Sequence, residues 1–383
     1  MSLSAPIFDR KNPYPAKIKE RYSLCHPSSP KNTYHLVLDL KDSGLTYQVG
    51  DSVAIFPQHD PLLVNHTLDA LRASGDELII DKRTQLTLSL RTFLQTKAAI
   101  TTVSRKLFTE TAKKHPDPAK AATLTALLDN APLLKEYLEK TDLGTFLKEH
   151  AEVKWESQDL CDHLMPLLPR FYSISSSMKA VGEEMHLTVA IPAYTDPFQR
   201  ALGVCTHYLC HLAIVGETNI PLYIQPHHGF TLPENPASPV IMVGPGTGIA
   251  PFRAFMQERE MLKAPGKNWL FFGEWNRSHH FFYEDYWREL ENSGKLRINA
   301  AFSRDQEHKV YVQHHLEAHG AEIFNWIESG ASFFVCGDAH KMAKDVESTL
   351  LSIFRLHGNF SEIEAEKYLK ALRVSKRYLR DVY

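Results

Sequence analysis

The sequence predicts short antiparallel strands forming a barrel or sandwich, an all-α insert, and then an α/β unit with a doubly wound parallel sheet. Three observations carry this. Strand-like runs flank a helical block, at Ala16–Pro57 and again from Pro169. From Val240 onward, strands and helices alternate, which implies parallel strands joined by crossover helices. Between these regions the apolar run Val240-Ile-Met-Val243 passes into Gly244-Pro-Gly-Thr-Gly248 and then a helix from Ile249 to Leu262. Residues 13–60 and 165–232 are assigned to the barrel or sandwich, 61–164 to the insert and 235–383 to the wound sheet.

In the first strand region, Tyr34–Leu40 is mostly apolar with polar interruptions, the pattern of a half-buried strand. Gly50-Asp opens the run Ser52–Phe56, and Pro57 closes it. From Leu62 the apolar period becomes helical, with Val64, Leu68 and Leu71 on one face. Segments 89–96, 102–115, 119–129 and 133–150 continue in that style, punctuated by Pro116, Pro118 and Pro132. The block carries no chemical motif and reads as a spacer. Met185–Ile191 and Leu222–Gln225 are strands, and prolines 233, 236 and 239 mark a boundary. Beyond the Gly-rich turn, 269–272, 296–302 and 332–336 read as strands, and 282–293, 310–319 and 339–356 as helices. Ser361 is placed to cap a further helix, with Glu364 completing a capping box.

Strand, Gly-rich turn and helix start together present bare backbone N–H groups to a phosphate. Gly203-Val-Cys-Thr206 opens a second helix, with Thr206 as the expected cap. Two phosphate cradles suggest two nucleotides. In Arg170-Phe-Tyr-Ser-Ile-Ser-Ser176, alternation puts Arg170, Tyr172 and Ile174 on one face. That face offers a cation for phosphate and a ring for stacking. Ser303-Arg304, with Lys309 and Tyr311 close behind, follows a strand end. A hydroxyl, two cations and a phenol suit a phosphate dianion, whereas an NAD site offers the ribose an acid. The cluster is read as a 2′-phosphate site, hence NADP rather than NAD.

Lys and Arg number 43 against 45 Asp and Glu, a net charge of −2. No broad basic field exists for nucleic acid. Five scattered cysteines without a C-x-x-C pair suit reduced thiols in the cytoplasm. The first fifteen residues lack the apolar core of a signal peptide, and no apolar run is long enough for a membrane helix. No metal site is predicted. His207 and His211 have no Glu to complete a motif, and His227-His228, His279-His280 and His314-His315 are adjacent pairs that diverge.

Taken together, these motifs resemble the FAD/NADP(H) reductase portion of the diflavin reductases, the family of the sulfite reductase flavoprotein subunit and NADPH–hemoprotein reductase. The matching pieces are 50–57, 170–176, 203–206, 244–252, 303–306, 309–313, 335–339, 342–346 and Arg380-Asp-Val-Tyr383, in the family's order. The resemblance implies a ferredoxin-NADP-reductase-like FAD barrel and NADP-binding α/β domain. It implies FAD contacts from Arg170, Phe171, Tyr172, Ser173, Thr188, Val189, Ala190, Tyr194, Gly203, Val204, Cys205, Thr206 and Tyr383. It implies NADP contacts from Gly246, Thr247, Ser303, Arg304, Lys309, Val310, Tyr311, Val312, Gln313 and Asp345. Ser173, Cys336 and Asp381 would be the catalytic trio, and Tyr383 would cover the flavin.

The expected function is an NADPH-dependent FAD oxidoreductase that passes electrons to a separate flavodoxin-like or ferredoxin-like carrier, or to a hemoprotein. Nothing before Pro13 reads as an FMN domain, and the loop 273–277 departs from the family pattern. A stand-alone ferredoxin- or flavodoxin-NADP reductase is the alternative enzyme, and a catalytically inactive scaffold is the alternative of another class. Neither membrane nor nucleic acid is expected as a partner.

Overall fold

The computed structural model describes residues 8–191, 203–226 and 229–383. The chain divides into two compact units. One comprises Met1–Ala54, Phe171–Ala193 and Ile214–Tyr383, and the other Ile55–Arg170 and Tyr194–Ala213.

The first unit holds two sheets. Strands β1 (Tyr14–Ser23), β2 (Asn32–Asp39) and β3 (Ser52–Ile55) come from the start of the chain. In the second unit, β4 (Leu78–Asp81) and β5 (Leu86–Ser89) form a hairpin. Then β6 (Arg170–Ser173), β7 (Glu184–Ile191) and β8 (Asn219–Gln225) complete a sheet of order β6-β3-β8-β1-β2-β7. The β1–β2, β1–β8 and β2–β7 pairs are antiparallel. An Ile174↔Leu187 bridge joins the end of β6 to β7, and the Ser175 amide donates to the His186 carbonyl at 2.8 Å. The two edges thus meet and the sheet closes as a barrel, which leaves no exposed edge there.

The second sheet is parallel throughout. It comprises β9 (Val240–Val243), β10 (Asn268–Glu274), β11 (Arg297–Phe302), β12 (Ser332–Gly337) and β13 (Tyr378–Val382), in order β11-β10-β9-β12-β13. Alternate residues serve opposite cores. Val240, Met242, Leu270, Phe272 and Phe334 pack with Phe252, Phe255 and Trp287 on one face. Ile241, Val243, Trp269, Phe271 and Phe333 pack with Leu316, Ile323, Val346 and Leu350 on the other. Burial on both faces explains why these strands read as unbroken apolar runs.

The second unit is helical around Leu68, Phe93, Phe108, Phe146 and Leu160. Its helices begin where sequence places short polar caps. Asp60, Ser104, Asp117 and Asn130 each accept an amide from the following turn. Two expectations are corrected here. The insert is not all-α, since it contains the β4–β5 hairpin. The span 133–150 is two helices, Ala131–Lys140 and Leu143–Glu149, because Asp142 caps the second by accepting from the Thr145 amide at 2.8 Å. In the parallel-sheet region, the helix expected from 339 starts at Met342. The Asp338 carboxylate accepts the Lys341 and Met342 amides and delays it. The capping box of Ser361 and Glu364 forms as read. Among the described residues no helix is long and apolar enough to cross a membrane.

Candidate functional site

The Gly-rich turn is shaped by close backbone approach. A Cβ on Gly248 would lie 2.1 Å from the Cys336 carbonyl oxygen, and one on Gly244 would lie 2.5 Å from the Gly248 carbonyl. Only glycine lets the turn lie this close to β12. Residues Gly246–Ile249 form one 3-10 turn that leads into the helix Ala250–Met261.

Parallel pairing of β12 with β13 sets Cys336 opposite Asp381. The Ser173 hydroxyl donates to Asp381 Oδ2 at 2.7 Å, and Cys336 Sγ stands 3.8 Å from the same oxygen. Ser173 lies 208 positions from Asp381 in the chain. Cys336 is fully buried, and burial, followed by the negative charge of Asp381, pushes its thiol pKa well up. The thiol is therefore held protonated beside a carboxylate that already accepts the serine's hydrogen bond. Tyr383 follows directly: its amide donates to the Gly337 carbonyl, and its hydroxyl shares a 2.7 Å hydrogen bond with Thr247 Oγ1. The residue as a whole is 61% exposed although its amide and hydroxyl are both tied down. Ser173, Cys336, Asp381, Tyr383 and Thr247, which the sequence separates widely, are thus brought together.

A cavity of about 380 Å³ opens beside the same turn. Its lining includes Gly246, Ser303, Arg304, Lys309, Tyr311, Val312, Gln313 and Asp345. All but one of the residues assigned by sequence to a nicotinamide nucleotide thus lie around it or, as Thr247 does, beside it. Val310 is not among the lining residues and packs, partly buried, against the core around Leu316 and Val346. Among the described residues, neither Arg304 nor Lys309 is paired with a carboxylate. Gln313 donates to Asp345 Oδ2 at 3.3 Å. Two unpaired cations, a hydroxyl and an open backbone turn fit an anionic dinucleotide.

The sequence reading assigned no site role to nine further residues of this cavity. Lys31, Glu274 and Trp275 are among them. The ladder between β10 and β11 continues past both strands: the Ser303 amide donates to the Glu274 carbonyl and the Arg304 amide to that of Trp275, each at 2.8 Å. This places the Arg304 guanidinium 3.3 Å from the centre of the Trp275 ring. Glu274 also gives the cavity an acid at the end of the strand that follows the Gly-rich turn, the feature the sequence analysis associates with an NAD site. The signal for it was its place at the end of the second strand.

Residues assigned to the flavin are more scattered in character. On β6, Arg170 and Phe171 are exposed, Tyr172 and Ser173 half-buried, and Ile174 buried, so the expected open face ends at Tyr172. On β7, Thr188 and Val189 are buried and Ala190 is exposed. The Thr188 hydroxyl shares a 2.7 Å hydrogen bond with the Tyr283 hydroxyl. The expected cap Thr206 lies inside its helix instead. Gly203, with φ +70°, caps Val204–His207, which continues as a π turn over Tyr208–Leu212. Left-handed φ suits glycine there, which explains the correction. Cys205 is buried in this helix. Tyr194 and the His227–His228 pair lie outside the described residues.

The FAD binding domain family matches residues 6–208, more than half of the chain. The chain belongs to that family. The oxidoreductase NAD-binding domain matches residues 242–348, which includes the Gly-rich turn and the cavity. The cofactors of this pair of domains are FAD and NADP(H). Among relatives of this FAD-binding chain is the sulfite reductase [NADPH] flavoprotein alpha-component of Vibrio cholerae, 39% identical over 378 residues. That alignment covers 98% of the chain and 60% of the relative. The namesake from Bacillus subtilis is 38% identical, covering 98% and 62%, and that of Yersinia pestis 40%, covering 98% and 61%. The chain spans about 60% of the length of the curated relatives it matches.

Proposed function

We propose that the chain is an NADPH-dependent flavoprotein oxidoreductase that passes electrons from NADPH through FAD to a separate carrier or hemoprotein. The juxtaposition of Ser173, Cys336 and Asp381 beside the Gly248 turn carries this reading. FAD, when bound, supplies the ability to take two electrons together and release them singly. The protein's own groups do the rest. Asp381 accepts the Ser173 hydroxyl's hydrogen bond at Oδ2 and fixes that hydroxyl's direction. Its negative charge favours a nicotinamide ring that becomes positive as it is oxidised. The buried Cys336 supplies a polarizable, uncharged sulfur in the same place. Tyr383, restrained through its hydroxyl by Thr247, is assigned the cover over the flavin ring. Arg304, Lys309, Ser303 and Tyr311 are assigned the 2′-phosphate, with Gly246 and Thr247 beside the nicotinamide nucleotide.

For FAD, Arg170 and the Gly203–Thr206 turn are assigned the phosphates, and Tyr172 the ring. Phe171, Val189 and Ala190 are kept as lesser contacts and Thr188 is the weakest, since Tyr283 already engages its hydroxyl. The barrel, insert and wound-sheet boundaries given above are proposed as the domain division. The proposed compartment is the cytoplasm, which five buried cysteines outside any disulfide support. The sulfite reductase branch is favoured because the relatives at 38–40% identity carry that name.

The test is optical. Protein purified with FAD should be yellow and should bleach on anaerobic addition of NADPH. Protein that holds FAD but keeps its colour with NADPH refutes the oxidoreductase reading. Protein that cannot take up FAD favours the scaffold.

A further inference from the structure

Glu274 ends β10, the strand that follows the Gly-rich turn and its helix. In nucleotide-binding sheets, an acid beyond the first βα unit accepts the ribose hydroxyls and opposes a 2′-phosphate. Glu274 lines the same cavity as Arg304 and Lys309, so the cavity contains both signals. What separates them is a residue from elsewhere in the chain. Lys31, in the turn between β1 and β2, places its Nζ 2.5 Å from each carboxylate oxygen of Glu274. The side chains are only 16% and 6% exposed, so water screens the pair weakly. The Lys31 turn is itself anchored. The Ser29 hydroxyl accepts the Lys31 amide and lies 2.7 Å from His280 Nε2, and the His26 amide donates to the His279 carbonyl. Lys31 Nζ is also 4.4 Å from the centre of the Trp275 ring, against which Arg304 stacks.

We propose that Lys31 is a specificity-determining residue for NADPH: it neutralises Glu274 and so lets an acid-bearing cavity accept a 2′-phosphate. The inference rests on the 2′-phosphate reading of the cavity given above. It assigns Lys31 no contact with the reacting atoms, only control of the charge that the phosphate meets.

The experiment is calorimetric titration of the FAD-loaded protein with 2′,5′-ADP and with 5′-AMP, which differ by that phosphate alone. The wild-type protein should prefer 2′,5′-ADP. Lys31→Met keeps the apolar stem but exposes the carboxylate charge. It should weaken 2′,5′-ADP by about tenfold or more, the scale of an unpaired buried charge, and leave 5′-AMP within about twofold. Lys31→Met with Glu274→Gln should recover most of the loss. Glu274→Gln alone should leave 2′,5′-ADP unchanged or tighter, and this variant decides the matter if the lysine variant does not fold. Equal weakening of both ligands by Lys31→Met, absence of rescue in the double variant, or weakening by Glu274→Gln alone overturns the proposal. If the wild-type protein shows no preference, the 2′-phosphate reading fails and this inference fails with it.

Discussion

Gly248→Ala is the perturbation whose consequence can be worked furthest. The added Cβ would stand 2.1 Å from the Cys336 carbonyl oxygen and 2.7 Å from its carbon, whereas ordinary contact begins at 3.4 Å. The overlap is thus 3.4 − 2.1 = 1.3 Å. Neither partner is a flexible side-chain end. Cys336 belongs to β12, which is paired on both sides, and the Gly248 amide is held by the Pro245 carbonyl at 3.1 Å. The turn must therefore retreat from β12 by about an ångström, at a cost of about 1–3 kcal/mol for an overpacked site. Thr247, adjacent in the chain, carries the hydroxyl that restrains Tyr383, so the displacement reaches the proposed reaction centre. Misplacement on this scale costs roughly 10²-fold in rate. NADPH-driven ferricyanide reduction, thermal unfolding and FAD content should be measured together. The expected variant retains FAD, melts a few degrees lower and turns over roughly a hundredfold more slowly. A variant with wild-type rate and melting temperature would refute the close-approach argument.

Other outcomes follow from single groups. Arg304→Ala should weaken NADPH roughly 10- to 100-fold, the scale of a lost charge-assisted hydrogen bond, with NADH nearly unchanged; equal losses in comparative kinetics would count against a phosphate role. Ser173→Ala removes the donor to Asp381 and should lower kcat by roughly 10²-fold at unchanged KM for NADPH, as read in stopped-flow reduction. Acid should destabilise the fold through buried neutral histidines. His59 and His186 are lowered from 6.5 to about 4 and His35 to about 3, chiefly by burial, with the Arg253 charge contributing to the last two. Because these folded values lie below the unfolded one, the unfolded chain binds more protons between them. Stability is then full above pH 6.5 and falls as the pH drops toward 4. At pH 5 the loss is about 2 kcal/mol per histidine, which should lower the melting temperature relative to pH 7. An unchanged melting temperature would contradict it.

Legibility in the sequence tracked the range of the interactions. The wound sheet and the helix caps were readable because apolar runs, Gly244–Gly248 and Asp or Ser caps act within a few residues. The β4–β5 hairpin was not, since Gln85 rather than glycine takes the left-handed position, at φ 61°. The helix Gly320–Glu328 was hidden by opening on a glycine without a capping side chain. The trio of Ser173, Cys336 and Asp381 was accessible only through family resemblance, because strand pairing rather than spacing assembles it. Lys31 and Glu274 are 243 positions apart, and nothing local in either segment announces their ion pair.

Among the described residues, the β13 strand has a neighbour on one side only. Five residues at the rim of a sheet open at a lower free energy than its interior. Yet this ribbon supplies Asp381 and leads into Tyr383. Gentle warming should therefore silence turnover while circular dichroism still reports an intact scaffold, so durability in storage would be governed by the fringe rather than by the core.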